Sequence, residues 1–196
     1  MSKKTITLEQ LKQKLAQFPH IKLDSASKVS TDKLLEYLRN GQVRICNHDD
    51  STPYCRFEYV VVRVFHNLND KYSLELVETK THSSNHLLAR PMEGINTKIF
   101  HGENVDHAAH RALRDKLGIA RFDHLEPRGS RWDVLKNGTG IPGLFTKNLI
   151  HLFHFHMQKG MYVSEGYTIR RGTDRKVVFK WVPMNNRVHE EHQILP

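Results

Sequence analysis

The chain has 196 residues, 38% hydrophobic and 26% charged, which is the composition of a soluble globular protein with room for one full core and a small extension. Lysine and arginine number 30 against 21 aspartate and glutamate, a net charge of +9 that favours polyanions such as nucleic acid, nucleotides or inositol phosphates; a solvated basic surface, or one neutralised by an acidic partner subunit, accounts for the same excess. No stretch approaches the roughly 18 apolar residues of a membrane span, so no membrane insertion is expected.

In chain order, MSKKTITLEQ lacks the apolar core of a secretory signal and carries Glu9 and no arginine, so a cytoplasmic location is expected, with a mitochondrion or other organelle left open. Thr7 to Gln10 reads as a capping box opening a short helix with Leu8, Leu11 and Leu15 on one side, ended by Phe18-Pro19. A second helix is expected from the Ser30-Thr31-Asp32 cap through Leu34, Leu35 and Leu38 to Asn40-Gly41. These helices form an N-terminal extension, residues 1–41, with no catalytic motif; docking to the domain or to a partner is its expected role. Residues 42–46 read as a short strand, followed by a polar loop from Asn47 to Pro53. Cys46 and Cys55 are too few for a disulfide scaffold and match no metal spacing, which points to a reducing compartment.

The run Arg56 to His66 is rich in valine and phenylalanine on both faces and reads as a buried strand, joined through Asn67 to Asp70 to a strand over Tyr72 to Lys80. Thr81 to Gly94 reads as an exposed polar loop. The most informative stretch follows, GENVDHAAHRALRDKLGI from Gly102 to Ile119. Asn104 can cap a helix there. Val105, Ala108, Ala109, Ala112, Leu113 and Leu117 give it one apolar stripe, and Gly118 stops it. Beyond it, Arg121 to Glu126 reads as a strand and Pro127 to Gly143 as a mobile basic loop carrying Arg128, Arg131, Lys136 and Trp132. Such a loop can grip phosphates while its tryptophan stacks a base, or can simply pack that ring on the sheet. A strand over Lys147 to Met157 carries His151, His154 and His156. The last two share a face, but without a third ligand in register they read as polar or partly buried side chains rather than a metal pair. Tyr167 to Val182 reads as a hairpin whose turn presents Arg170, Arg171, Arg175 and Lys176, either to phosphates or as solvated charges guarding a strand edge. Residues 186–196 read as a tail.

The segment around the long helix resembles the signature of the Nudix hydrolases. Glu103, Arg111, Leu113, Gly118 and Ile119 fall at their family positions, and Gly102 before Glu103 matches the usual Gly-Glu pair. Lys98-Ile99 ahead of it, and Phe179 to Pro183 later, are also similar to family members. The departures concern chemistry: Thr97 stands in place of the first glycine, Ala112 in place of a glutamate, and Asp115-Lys116 in place of a glutamate pair. The resemblance implies an α/β fold, a Nudix-like α/β/α sandwich with a mixed sheet, over residues 42–185. It implies that Glu103, Arg111 and Gly118 keep a structural role, with Glu103 and Arg111 bracing the loop against the helix. Positions 112, 115 and 116 share one helical face, which in the family holds magnesium ions through carboxylate oxygens. Here that face is neutral to basic and is expected to hold magnesium poorly, so no cofactor is expected.

Three functions follow. The first is a degenerate Nudix-fold protein binding RNA or a phosphorylated ligand through Lys116, Arg114, Arg128, Arg131, Arg170, Arg171, Arg175 and Lys176, as a non-catalytic subunit of a ribonucleoprotein or other assembly with protein partners. The second is an active Mg2+-dependent hydrolase of nucleoside-diphosphate-linked compounds, capped RNA or inositol pyrophosphates. It would recruit Asp115 and Glu103 as metal ligands and catalytic groups, with Glu93 or Glu126. The third is a protein-interaction scaffold without ligand.

Overall fold

The computed structural model describes residues 6–23, 28–48, 52–69, 72–83, 86–88, 92–122, 124–135, 139–171 and 175–184. The expected tail over 186–196, the turn residues 172–174 and Lys136 lie outside them. Among the described residues three α-helices, α1 (Leu8–Leu15), α2 (Lys28–Arg39) and α3 (Val105–Leu117), accompany ten strands: β1 (Arg44–His48), β2 (Thr52–Asn69), β3 (Tyr72–Ser83), β4 (His86–Leu88), β5 (Met92–Glu93), β6 (Ile95–Lys98), β7 (Glu126–Leu135), β8 (Phe145–His156), β9 (Tyr167–Arg171) and β10 (Arg175–Pro183). The strands are hydrogen-bonded in the order β7-β8-β2-β3-β10-β9, with β1 and β6 on β2, and β4 and β5 on β3. This is a mixed α/β arrangement, as expected.

The chain divides into two compact units. One comprises Met1–Tyr59, Lys98–Glu103 and Arg131–Ile150. In it the capping box of α1 forms as expected: Gln10 N donates to Thr7 Oγ1 at 3.2 Å and Thr7 N to Gln10 Oε1 at 2.9 Å. α1 and α2 bury Leu11, Leu15, Leu34 and Leu35 in a core shared with Val43, Cys55, Phe57, Ile141 and Leu144. α2 begins at Lys28, before the expected cap, so Ser30 is a helical residue and its side chain is not spent as an N-cap. β1 pairs antiparallel with β2 from Arg44 opposite Arg56 to His48 opposite Thr52, which turns the ends of the expected loop into a hairpin; residues 49–51 lie outside the described ones.

The other unit comprises Val60–Thr97, Asn104–Ser130 and His151–Pro196. On β2, Val60, Val62 and Val64 are fully buried at 0% exposure, while Val61 on the other face is partly exposed. The hairpin to β3 closes through Asn67 opposite Ser73 and Asn69 opposite Tyr72. The hairpin of β9 and β10 also forms, with Arg175 opposite Arg171. The segment from Thr81 to Gly94 is not a plain loop: β3 runs to Ser83, pairing His82 with Lys176 of β10, and β4 and β5 fold back on it. Pairing between distant segments overrides its polar composition. Among the described residues of 121–126, none before Glu126 is in a strand, and residues 127–135 of the expected basic loop belong to β7. The side chains of β7 are almost all exposed, so it carries no apolar alternation by which to be recognised.

One carboxylate is embedded in this unit. Glu75 is 2% exposed, and Arg63 reaches it with two bonds, Nε to Oε1 at 2.8 Å and Nη2 to Oε2 at 2.7 Å. A paired fork of this kind is strong, but removing one partner strands the other charge. Glu75→Ala is expected to lower unfolding free energy by about 3 kcal/mol. Replacing both residues, Arg63→Met with Glu75→Leu, is expected to recover most of that loss in urea denaturation.

Candidate functional site

The long helix α3 is built as its sequence dictates. Asn104 Oδ1 accepts from Asp106 N at 2.8 Å and His107 N at 3.3 Å, and Gly118 closes the helix in the left-handed region at φ 72° with its N–H on Arg114 O. Ala108, Ala109, Ala112 and Leu113 are buried. Arg111 Nη1 donates to Thr97 Oγ1 at 3.1 Å, tying the helix to the segment before it within the same unit. In the other unit, Glu103 folds back on its own loop, its Oε2 accepting from Phe100 N at 2.9 Å.

On the face where carboxylates would hold magnesium, Ala112 is buried and offers no ligand atom. Asp115 accepts from Arg114 Nε at 3.0 Å, and both side chains are about half exposed. The Lys116 ammonium donates to the backbone carbonyl of Asn96 and lies 3.4 Å from its Oδ1. A cation tethered at this spot repels a divalent metal and leaves one carboxylate, itself beside a guanidinium, where the ion needs several hard oxygens. These residues do not fit magnesium. Nor do any three His, Cys, Asp or Glu among the described residues cluster so as to hold a metal ion.

The remaining cations named from sequence are scattered. Arg128 on β7 is exposed and pairs with Glu126 at 2.6 Å; Arg131 is exposed on the same strand. Trp132 stands on the strand β7 rather than on a loop, 51% exposed, with the Arg56 guanidinium of β2 5.2 Å from its ring centre. Lys176 is exposed on β10, while the side chains of Arg170, Arg171 and Arg175, like that of Glu93, lie outside the described residues.

Sequence reasoning missed a cavity of about 380 Å³ that lies wholly within the unit containing α1 and α2. α2 presents Ser30, Lys33, Leu34 and Tyr37 to it, a stripe spaced by three and four residues. β2 presents Phe57 and Tyr59, and β8 presents Thr146 and Asn148, each pair two residues apart on one strand face. Lys98 Nζ sits 3.3 Å from the centre of the Tyr37 ring and 4.8 Å from that of Phe57, while Lys33 Nζ is 5.9 Å from Tyr37. Burial pushes the Lys98 ammonium below the usual lysine range, partly offset by Tyr37, with Lys33 adding repulsion. Thr146 Oγ1 and Asn148 Oδ1 are buried with no hydrogen-bond partner. An unpaired buried group of this sort costs about 1–3 kcal/mol. Gly140 belongs to the same wall: a β-carbon there would stand 2.6 Å from Ser30 Oγ. The available sequence signal was the α2 stripe, which mixes lysine and serine with leucine and tyrosine.

A smaller cavity of about 120 Å³ in the other unit is lined by His124, Glu126, His154 and His156. His154 and His156 do share a face: both rings meet Phe65, at 4.8 and 5.5 Å. Burial, reinforced by the Arg128 and Arg63 guanidiniums, pushes the His154 imidazole down to about 4 from an ordinary 6.5. A histidine with a depressed pKa is neutral in the folded chain while the unfolded chain takes up a proton. Its contribution is therefore complete above about pH 6.5 and is lost as pH falls from there toward 4. Wild-type melting temperature is expected to drop between pH 7 and pH 4.5 by more than that of His154→Phe, which cannot titrate.

No family model and no curated protein matches the sequence. Among solved structures, this chain is similar to the NUDIX domain of Shewanella oneidensis NrtR complexed with ADP ribose, at 17% identity and a TM-score of 0.43 over 76% of this chain and 82% of that one. It is similar to T. brucei MERS1 in an RNA complex, at 16% identity and a TM-score of 0.40, covering 69% of this chain but 41% of that one. A C. elegans Ap4A hydrolase follows at 12% identity and a TM-score of 0.38, over 63% and 77% of the two chains.

Proposed function

We propose that this chain is a degenerate Nudix-like protein that binds RNA or another phosphorylated ligand without hydrolysing it, as a subunit of a ribonucleoprotein or comparable assembly. The observation that carries this reading is the placement of Lys116, whose ammonium is tethered to the Asn96 carbonyl on the helix face where hydrolysis would need a cluster of carboxylates. An ammonium there acts on a phosphate as a point charge, which favours binding and removes the means of generating a metal-bound nucleophile. The net charge of +9 supports a polyanionic ligand. In this reading Glu103 and Arg111 serve the fold, through their bonds to Phe100 and Thr97.

Purified protein is expected to release no product from nucleotide sugars, dinucleoside polyphosphates, capped RNA or inositol pyrophosphates with magnesium or manganese. Cleavage that disappears in Asp115→Ala would overturn the reading in favour of a hydrolase. Affinity for single-stranded RNA is expected to fall steeply between 50 and 200 mM salt, by about tenfold or more if a few phosphates are contacted. Absence of RNA affinity even at low salt would point to a scaffold instead. Arg111→Ala is expected to lower the melting temperature while leaving RNA affinity of the folded fraction unchanged. Selective loss of binding in a fully folded variant would move Arg111 from bracing to recognition.

A further inference from the structure

The cavity under α2 combines three kinds of surface that seldom occur together by accident. Phe57 and Tyr59 stack at 6.2 Å with 29° between their planes, giving flat ring surface at the wall. Opposite in chemistry are Thr146, 2% exposed, and Asn148, whose Oγ1 and Oδ1 are buried without partners. Lys33 and Lys98 supply two positive charges at the same cavity.

An aliphatic acid would use the lysines and waste the rings and the orphaned oxygens. A plain aromatic molecule would waste the charge. A ligand using all three carries a planar ring with a hydrogen-bonding edge and an anionic group. We propose that this cavity binds one nucleotide unit, its base against the aromatic wall with its edge to Thr146 and Asn148, and its phosphate at Lys33 and Lys98.

The volume of about 380 Å³ is that of a small-molecule site, suited to a single nucleotide and not to a duplex. Burial already disfavours the charged form of Lys98, and a phosphate would relieve that penalty. The proposal rests on the reading that the chain binds phosphorylated ligands, and deepens it by naming the chemistry and the place. The nucleotide has two possible sources, a free mononucleotide or a residue turned out of single-stranded RNA.

The full chain would be titrated with the four ribonucleoside 5′-monophosphates, their nucleosides, inorganic phosphate and a single-stranded octaribonucleotide. Thr146→Val and Lys33→Ala would be titrated beside wild type. Thr146→Val nearly preserves shape while deleting an unpaired hydroxyl, so its melting temperature is expected to be unchanged or raised. Its affinity for at least one monophosphate is expected to fall by about tenfold or more, as loss of a buried hydrogen bond does. Lys33→Ala is expected to shrink the preference for monophosphate over nucleoside. If only the octamer binds and both variants weaken it, the nucleotide comes from RNA. If monophosphate or octamer binds all three proteins alike, or inorganic phosphate binds as tightly as any nucleotide, the cavity assignment is overturned while phosphate binding stands. If nothing binds even at low salt, both fall.

Discussion

The grip of Arg63 on Glu75 is the interaction on which one of the two units turns. It holds a buried carboxylate on strands whose other buried residues are mainly valine, leucine and phenylalanine, and both oxygens are engaged. Burying an ion is tolerable only when its partner is fixed in register with it. β2 and β3 therefore have one alignment that keeps the fork closed, and a slip of one residue would strand the charge and turn every side chain to the opposite face. The close packing of His66 against Tyr162, with ring centres 4.0 Å apart, and of Tyr162 against Trp181 depends on that same alignment.

The two carboxylates, Glu75 and Asp115, divide the roles that a carboxylate can play. Glu75 is buried and structural; Asp115 is half exposed and already answered by Arg114. α3 has its caps, its buried stripe and its Arg111 bond, while its surface beside Asp115 carries Arg114 and Lys116. Ala112, at 1% exposure, adds to the packed stripe.

The helices were legible because their limits are written in a few neighbouring residues. Thr7 with Gln10, and Asn104 with Gly118, form caps without help from the rest of the chain. The buried strand of valines was legible for a similar reason, since its composition leaves no soluble alternative. β7 was not, because its side chains carry no periodic mark, and the pieces after Thr81 were not, because backbone pairing with β3, and of the end of β3 with β10, orders them in spite of their polar composition. At the site, the chemistry of the α3 face, one carboxylate beside two cations, is written in neighbouring positions 114, 115 and 116. The cavity could not be read in this way, because its wall gathers α2, β2, Lys98 and β8 from widely separated stretches. Thr146 and Asn148 look like ordinary strand alternation until their missing partners are noticed.

β7 has a further consequence for how the protein behaves in concentrated solution. It ends the strand order, and it carries Trp132, Val134 and Leu135 in the open at 51, 60 and 48% exposure. An apolar strand at a sheet edge is a template on which a second chain can add. Pro127, Arg128 and Arg131 stand on the same strand as a proline interruption and two like charges, devices that discourage such addition. That protection is partly electrostatic and draws on the same net charge of +9 that attracts polyanions. Salt or a multivalent polyanion that screens the charge leaves the edge exposed, so colloidal stability and ligand affinity are governed by one electrostatic field.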